Sequence, residues 1–142
     1  MQLNEAKHIL RDMGYLVESK VELGVVDKIV KLYLDLKEHG YDVDEDNISN
    51  VVKKGGFPVR VNKTLELKKF GKVSVRKLYF AKDSVYITYK LGSTGEIRGA
   101  SIEYEFDRDE FERVINSAMD LDDFIEVDVH NAIYEYLSEY GV

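Results

Sequence analysis

A run of basic residues between Lys53 and Lys77 is the part of this sequence with the clearest chemical meaning. It contains nine lysine or arginine residues and one acid, Glu66, so its net charge is +8 in a chain whose total is −7. Cations along consecutive strands can follow a phosphate backbone, and aromatic side chains among them can stack on exposed bases. The candidate binding residues are therefore Arg60, Lys63, Lys68, Lys69, Lys72, Arg76, Lys77 and Tyr86.

The same run has two other interpretations, and the sequence leaves all three open. Lysine at outward strand positions discourages edge-to-edge aggregation of sheets, so the charges can be plain solvated surface. They can also pair with acidic helices of the same chain, of a second copy or of another protein. Residues 102–142 contain thirteen acids and two basic residues, which repel a nucleic acid unless they lie on the far side. We therefore expect a protein partner first, with a weak homodimer between basic strands and acidic C-terminal region, and nucleic acid as the alternative.

Two acidic segments are candidates for a metal site or a partner surface. Asp42, Asp44 and Asp46 have the 1, 3, 5 spacing of a calcium loop, but the sixth position is Asn47 and the twelfth is Lys53. We therefore expect no metal there and interpret Asp44, like Asp128, as a helix-start residue. The expected acidic partner surface consists of Asp120, Asp122, Asp123 and Glu126.

Signals for catalysis are weak in this sequence. It contains no nucleophile-elbow, zinc-protease or phosphate-loop motif, and His8, His39 and His130 are far apart. Cysteine is absent, which excludes disulfides and fits a cytoplasmic setting. No apolar run reaches the length of about 18 residues expected of a membrane-spanning helix. We identify no catalytic residue, metal ligand or cofactor, and an enzyme of unknown class is the third hypothesis.

Helices are predicted at both ends of the chain from the spacing of apolar side chains. In residues 1–56 we expect a helix from Asn4 to Gly14, a second from Val25 to His39, and a short third one that ends at Gly55. In residues 107–142 we expect two helices, the first of which begins at Asp107.

Strands are predicted in residues 57–106, where apolar and polar residues alternate. About four closely spaced strands favour an antiparallel meander, and a slip in the alternation at Lys77 and Leu78 predicts a bulge. The predicted fold class is α+β, one domain of residues 1–142 whose β-meander is covered by N-terminal and C-terminal helices. We expect its core to include Ile9, Leu10, Ile29, Val30, Ile87, Ile102, Tyr104, Val114, Ile115 and Leu137.

The segment Leu3–Glu18, LNEAKHILRDMGYLVE, resembles the opening helix of small proteins of phages and mobile elements. The resemblance covers about a ninth of the chain and includes no catalytic or binding residue. It implies a phage-type accessory protein that acts in the host-cell cytoplasm, and such proteins often inhibit a host or defence protein. The expected function is a non-catalytic protein-interaction module that acts through charge-complementary contacts. The alternative is a nucleic-acid-binding module that uses the basic strands of residues 59–77.

Overall fold

The computed structural model describes residues 20–44, 47–92, 94–105 and 108–140. The helices in these ranges are α1 (Lys20–Glu38), α2 (Ile48–Lys54), α3 (Asp109–Ser117), α4 (Leu121–Phe124) and α5 (His130–Tyr140), and a π-helical turn, Ile125–Val129, joins the last two. The strands are β1 (Asp42–Val43), β2 (Gly56–Leu67), β3 (Gly71–Ala81), β4 (Ser84–Leu91) and β5 (Ile97–Glu103). They form one antiparallel sheet in chain order. The predicted α+β class is confirmed. Strand β1 was not predicted, because two residues are too few to show an alternation of apolar and polar side chains.

Local capping fixes the helix ends on both sides of β1. Gly40, with φ +85°, follows α1, and the amide of Tyr41 donates to the carbonyl of Leu36 at 3.1 Å, a bond that closes many helix C-termini. Helix α2 begins after Asn47, whose side chain accepts from the amide of Ser49 at 2.8 Å. Asp44 is therefore not the helix-start residue that we expected.

The C-terminal helices differ in their boundaries from the prediction. Asp128 lies inside the π-helical turn and begins no helix, because helical backbone continues from α4 through this turn into α5. The N-cap of α3 is Arg108, while the predicted start at Asp107 lies outside the described residues. The predicted helix from Asn4 to Gly14 also lies outside them.

The core lies between the helices and one face of the sheet. Phe57 on β2 and Phe80 on β3 have ring centroids 5.6 Å apart, Tyr33 of α1 lies 5.5 Å from Phe57, and Phe124 of α4 lies 5.9 Å from Phe80. Seven of the expected core residues are buried, namely Ile29, Val30, Ile87, Tyr104, Val114, Ile115 and Leu137.

The remaining three expected core residues have other outcomes. Ile102 is only half-buried, because it lies on the edge strand β5 and pairs with Val85 alone. Ile9 and Leu10 lie outside the described residues. Strand β5 ends at Glu103, and the next residue, Tyr104, turns back and donates its hydroxyl to the carbonyl of Ala81.

Two irregularities lie at the same level of the sheet. The pairing of β3 with β4 shifts between Val75 and Lys77, and the pairing of β2 with β3 shifts between Arg60 and Lys63. The bulge predicted at Lys77 is thus present, centred on Arg76. Among the described residues, no helix is long and apolar enough to cross a membrane.

Candidate binding surface

One face of the sheet carries the helices, and the opposite face carries three of the seven predicted basic residues. Helices α1 and α4 pack on the face of Phe57 and Phe80. Side chains that alternate with these residues point to the other side, where they are exposed or half-buried. We call this side the open face and define it by Arg60, Arg76, Lys77, Tyr79, Tyr86, Thr88 and Lys90.

A row of cations crosses the open face from β2 to β4. Arg60 pairs directly with Lys77, and Lys77 pairs with Thr88 on its other side. Val75 faces the core, so without the bulge Lys77 would face it too. Arg76 is the extra residue of the bulge, and both Arg76 and Lys77 are exposed. The bulge therefore turns a core-facing position into a surface cation, which is a known use of such irregularities.

An aromatic pair lies next to this row, two residues further along each strand. Tyr79 on β3 and Tyr86 on β4 are direct cross-strand partners, and Tyr86 is 51% exposed. The ring of Tyr79 lies over Gly56 of β2, since a Cβ atom added to Gly56 would lie 2.9 Å from Cε1 of Tyr79. The absence of a side chain at Gly56 therefore leaves room for the Tyr79 ring. Tyr79 is the functional candidate that sequence reasoning did not select, although its position between the core residues Leu78 and Phe80 indicates an outward side chain.

Lys63 does not belong to the open face. It pairs with Val75, a core-facing residue, and its amine lies 2.8 Å from Oε1 of Glu126 and 3.9 Å from Oδ1 of Asp122. The hydrogen bond to Glu126 raises the pKa of the Lys63 amine. The contact that we considered between basic strands and acidic helices thus forms, at this position, within one chain.

The remaining lysines of the predicted set lie toward one end of the sheet. Lys68 and Lys69 are exposed in the β2–β3 turn, and Lys72 pairs with Glu66 across the same hairpin. The turn residue Phe70 packs edge-on against Tyr134 of α5, with 5.5 Å between ring centroids. Phe70 thus anchors the turn and is not free to take part in binding.

The four predicted acidic surface residues lie with the helices. Asp120, Asp122 and Asp123 belong to the start of α4, and Glu126 belongs to the π-helical turn. Asp120 also has a structural role, because its carboxylate accepts from the amide of Asp123 at 3.4 Å. Phe124, within the same segment, packs on Phe80 and so fixes this acidic segment to the side opposite the open face.

The described residues also form two cavities outside the cation row. In the described ranges, no group of three or more His, Asp or Glu side chains can hold a metal ion. A cavity of about 280 Å³ between α1 and α3 has a mixed lining of Lys28, Lys31, Leu32, Asp35, Glu112, Ile115, Asn116 and Met119. Another, of about 460 Å³, is lined by Asp83, Ser84, Tyr86, Glu103, Tyr104, Glu105 and Glu110.

No family model matches this chain, and comparisons with curated proteins and with solved structures find no match either. What the protein can bind must therefore follow from its own side chains.

Proposed function

We propose that the protein is a non-catalytic interaction module that holds a negatively charged macromolecular partner on the open face of its sheet. The observation that carries this proposal is the cluster of Arg60, Arg76 and Lys77, three cations brought together by strand pairing and a bulge. Directly opposed like charges destabilise a sheet. Asp44 pairs with Arg60, so an anionic partner would mainly offset the charges of Arg76 and Lys77.

The distribution of acids supports the same proposal. A strongly acidic chain repels an anionic partner unless its acids are remote. The acidic segment of α4 and the π-helical turn packs behind the sheet through Phe124. On the open side, Asp44 lies beside Arg60 and Glu66 lies near the β2–β3 turn. A further group of acids, Asp83, Glu103, Glu105 and Glu110, lines a cavity next to Tyr86. We therefore place the anionic partner over Arg60, Arg76 and Lys77, away from these acids.

An inhibitor of a host or defence protein, acting in the host-cell cytoplasm, is one form that such a module takes. In this form the partner presents an acidic surface, and arginine and tyrosine supply the residue types that dominate protein interfaces. A weak homodimer is a subsidiary proposal, in which the open face contacts the exposed acids Asp123 and Glu135 of a second copy. Sedimentation at low salt should then detect a dimer that dissociates as salt rises, and a monomer at high protein concentration in low salt would exclude it.

Retention on immobilised heparin, a polyanion without bases, tests the proposed surface. The variant Arg76→Gln/Lys77→Gln removes two positive charges from the open face. The matched control Lys53→Gln/Arg113→Gln removes two exposed charges from helices α2 and α3. We expect wild type and control to elute at similar salt, and the open-face variant to elute much earlier. A wild type that flows through, or two variants that elute together, would refute the proposal.

A pull-down from the native host, with and without nuclease, separates the classes of partner. A protein partner should remain after nuclease treatment and be released by salt, whereas a nucleic acid should be lost. The Arg76→Gln/Lys77→Gln bait provides the control, because a genuine open-face partner must be absent from it.

A further inference from the structure

The open face combines two adjacent rows with different chemistry. The first row contains Arg60, Lys77 and Thr88, and the second contains Tyr79 and Tyr86. Rows two residues apart along a strand are separated by about 7 Å, and neighbouring strands by about 4.8 Å. A ligand whose anionic and aromatic groups are about as far apart as the two rows can therefore contact both rows at once.

We propose that the partner held on the open face is a single-stranded nucleic acid, an inference that rests on the proposed function. Bases stack on Tyr86 and Tyr79, while their phosphates lie along Arg60, Lys77 and Arg76. A single strand presents both groups together, because its bases are unstacked and its phosphates are continuous. Cationic grooves with stacking platforms bind such strands with little dependence on sequence.

The aromatic row favours a single strand over the other anionic partners. A duplex offers phosphates but buries its base faces, so it leaves Tyr86 without a stacking partner. An acidic protein surface offers carboxylates, which the cation row alone can satisfy. Tyr86 has half of its surface in solvent although β4 has a neighbouring strand on each side, and the ring of Tyr79 lies close to Gly56. A tyrosine side chain has only two side-chain torsions to fix, so a base that stacks on it immobilises few rotamers.

The surroundings of the cation row fit the same ligand. Beyond Tyr86 the surface becomes acidic, because Tyr86 shares a cavity with Asp83, Glu103, Glu105 and Glu110, so the phosphates have to lie on the side of Arg60 and Lys77. Lys90 lies on the open face beyond Thr88 and pairs with Ser74, so hydrogen-bond donors continue along β4. Gly99 on β5 pairs with Thr88 and has no side chain, so no side chain projects from the sheet at the β5 end of the cation row. A strand that crosses the sheet from Arg60 toward β5 therefore meets no bulky side chain at that end of the row.

Fluorescence anisotropy with labelled oligonucleotides of about 12 nucleotides, a length within known single-strand site sizes, tests this inference. The probes are oligouridylate, oligothymidylate and a DNA duplex of equal length. We expect either single strand to bind more tightly than the duplex, and the comparison of the two single strands distinguishes RNA from DNA. Tyr86→Ala should weaken single-strand binding at least about fivefold, which corresponds to ~1 kcal/mol, and leave heparin retention unchanged.

The salt dependence provides a second readout. Three phosphate contacts on a single strand give a slope of log affinity against log salt of about −2. Arg76→Gln/Lys77→Gln should reduce this slope by about 1.4, and Lys53→Gln/Arg113→Gln should leave it unchanged. Folding of each variant is checked by its unfolding midpoint.

The outcomes separate this inference from the proposed function. Heparin retention that depends on Arg76 and Lys77, without single-strand binding, overturns the inference and leaves the interaction module with an acidic protein partner. Single-strand binding that Tyr86→Ala does not weaken also overturns it. If the wild type shows neither heparin retention nor oligonucleotide binding, the proposed function itself is refuted.

Discussion

Arg60 on β2 and Lys77 on β3 lie directly opposite each other, so the sheet places two cations side by side on its open face. Asp44, with a carboxylate oxygen 3.2 Å from the guanidinium of Arg60, pairs with the arginine. Opposed like charges oppose folding, and proteins tend to retain such conflicts where function requires them. Substitutions that remove the repulsion in this pair should therefore raise the stability of the fold and weaken the binding of an anionic partner.

Lys77→Glu should stabilise the fold and abolish binding to polyanions. An opposite-charge pair with Arg60 replaces a repulsive one, so the free energy of unfolding should rise by about 0.2–1 kcal/mol. Urea denaturation measures this change, and heparin retention measures the loss of binding. Lys77→Thr removes the repulsion without adding an attraction, so its stability should lie between that of the wild type and that of Lys77→Glu. A Lys77→Glu variant that is less stable than wild type would show that the opposed cations carry no cost.

Gly56→Ala should destabilise the protein and disturb the aromatic pair. A Cβ atom at Gly56 would lie 2.4 Å from the carbonyl oxygen of Phe80 and 2.9 Å from the ring of Tyr79. Backbone has to move to relieve the first contact, and overpacking of this kind costs about 1–3 kcal/mol. Gly24→Ala is the matched control, because nothing lies within 4 Å of its added Cβ. In helix α1 it should stabilise by about 0.5–1 kcal/mol. Equal effects of the two changes in thermal unfolding would contradict the contact at Gly56.

Truncation of the core should follow the burial that the structure shows. Ile29 is fully buried, so Ile29→Ala should cost about 2–5 kcal/mol. Ile102 is half-buried on the edge strand, and its truncation should cost clearly less than that of Ile29. Chemical denaturation of the two variants measures the difference. A loss below about 0.5 kcal/mol at Ile29 would mean that the buried face of α1 is wrongly assigned.

Tyr104→Phe should change the response of the fold to alkaline pH. Burial raises the pKa of the Tyr104 hydroxyl above its ordinary value of 10.0, so the folded chain keeps this proton where the unfolded chain loses it. Its contribution to stability is therefore complete below pH 10 and is lost as pH rises through the raised pKa. At neutral pH the variant should be about 0.5–1.5 kcal/mol less stable, because the bond to the Ala81 carbonyl is lost.

Unfolding free energies of the wild type and of Tyr104→Phe, measured from pH 7 to pH 11.5, test this sign. The difference between them should be constant to about pH 9 and shrink above pH 10. A difference that grows with pH would contradict the burial of this hydroxyl.

The fold could be predicted from the sequence because alternation and capping are local signals. The alternation of Val85, Ile87 and Tyr89 requires a strand with one buried face, and Gly40 and Gly55 mark the ends of their helices through positive φ. The continuous helical backbone through Asp128 was missed, since an acid before an apolar stretch also fits a helix start. The two-residue strand β1 depends on pairing with Val59 and Arg60, a contact that no local pattern contains.

The site could be predicted only in part, because side-chain direction depends on register. Lys63 lies an even number of residues from Val59 and Leu65 along the strand, so its core-facing direction could have been inferred from the sequence. Lys77 has the parity of Val73 and Val75, and only the bulge at Arg76 turns it outward. The position of the acidic segment of α4 behind the sheet depends on the tertiary packing of Phe124 on Phe80, which no local pattern contains.

Backbone-amide NMR during titration with a short heparin oligosaccharide tests the binding surface most directly. Chemical-shift changes report which residues contact a polyanion, without any substitution in the protein. We predict that the largest changes fall on Arg60, Arg76, Lys77, Tyr79 and Thr88, and that the amides of α3 and α5 move little. Changes concentrated in the helices would contradict the assignment of the open face as the binding surface. So would the absence of any change at oligosaccharide concentrations up to about 1 mM, which correspond to a binding free energy of only about −4 kcal/mol.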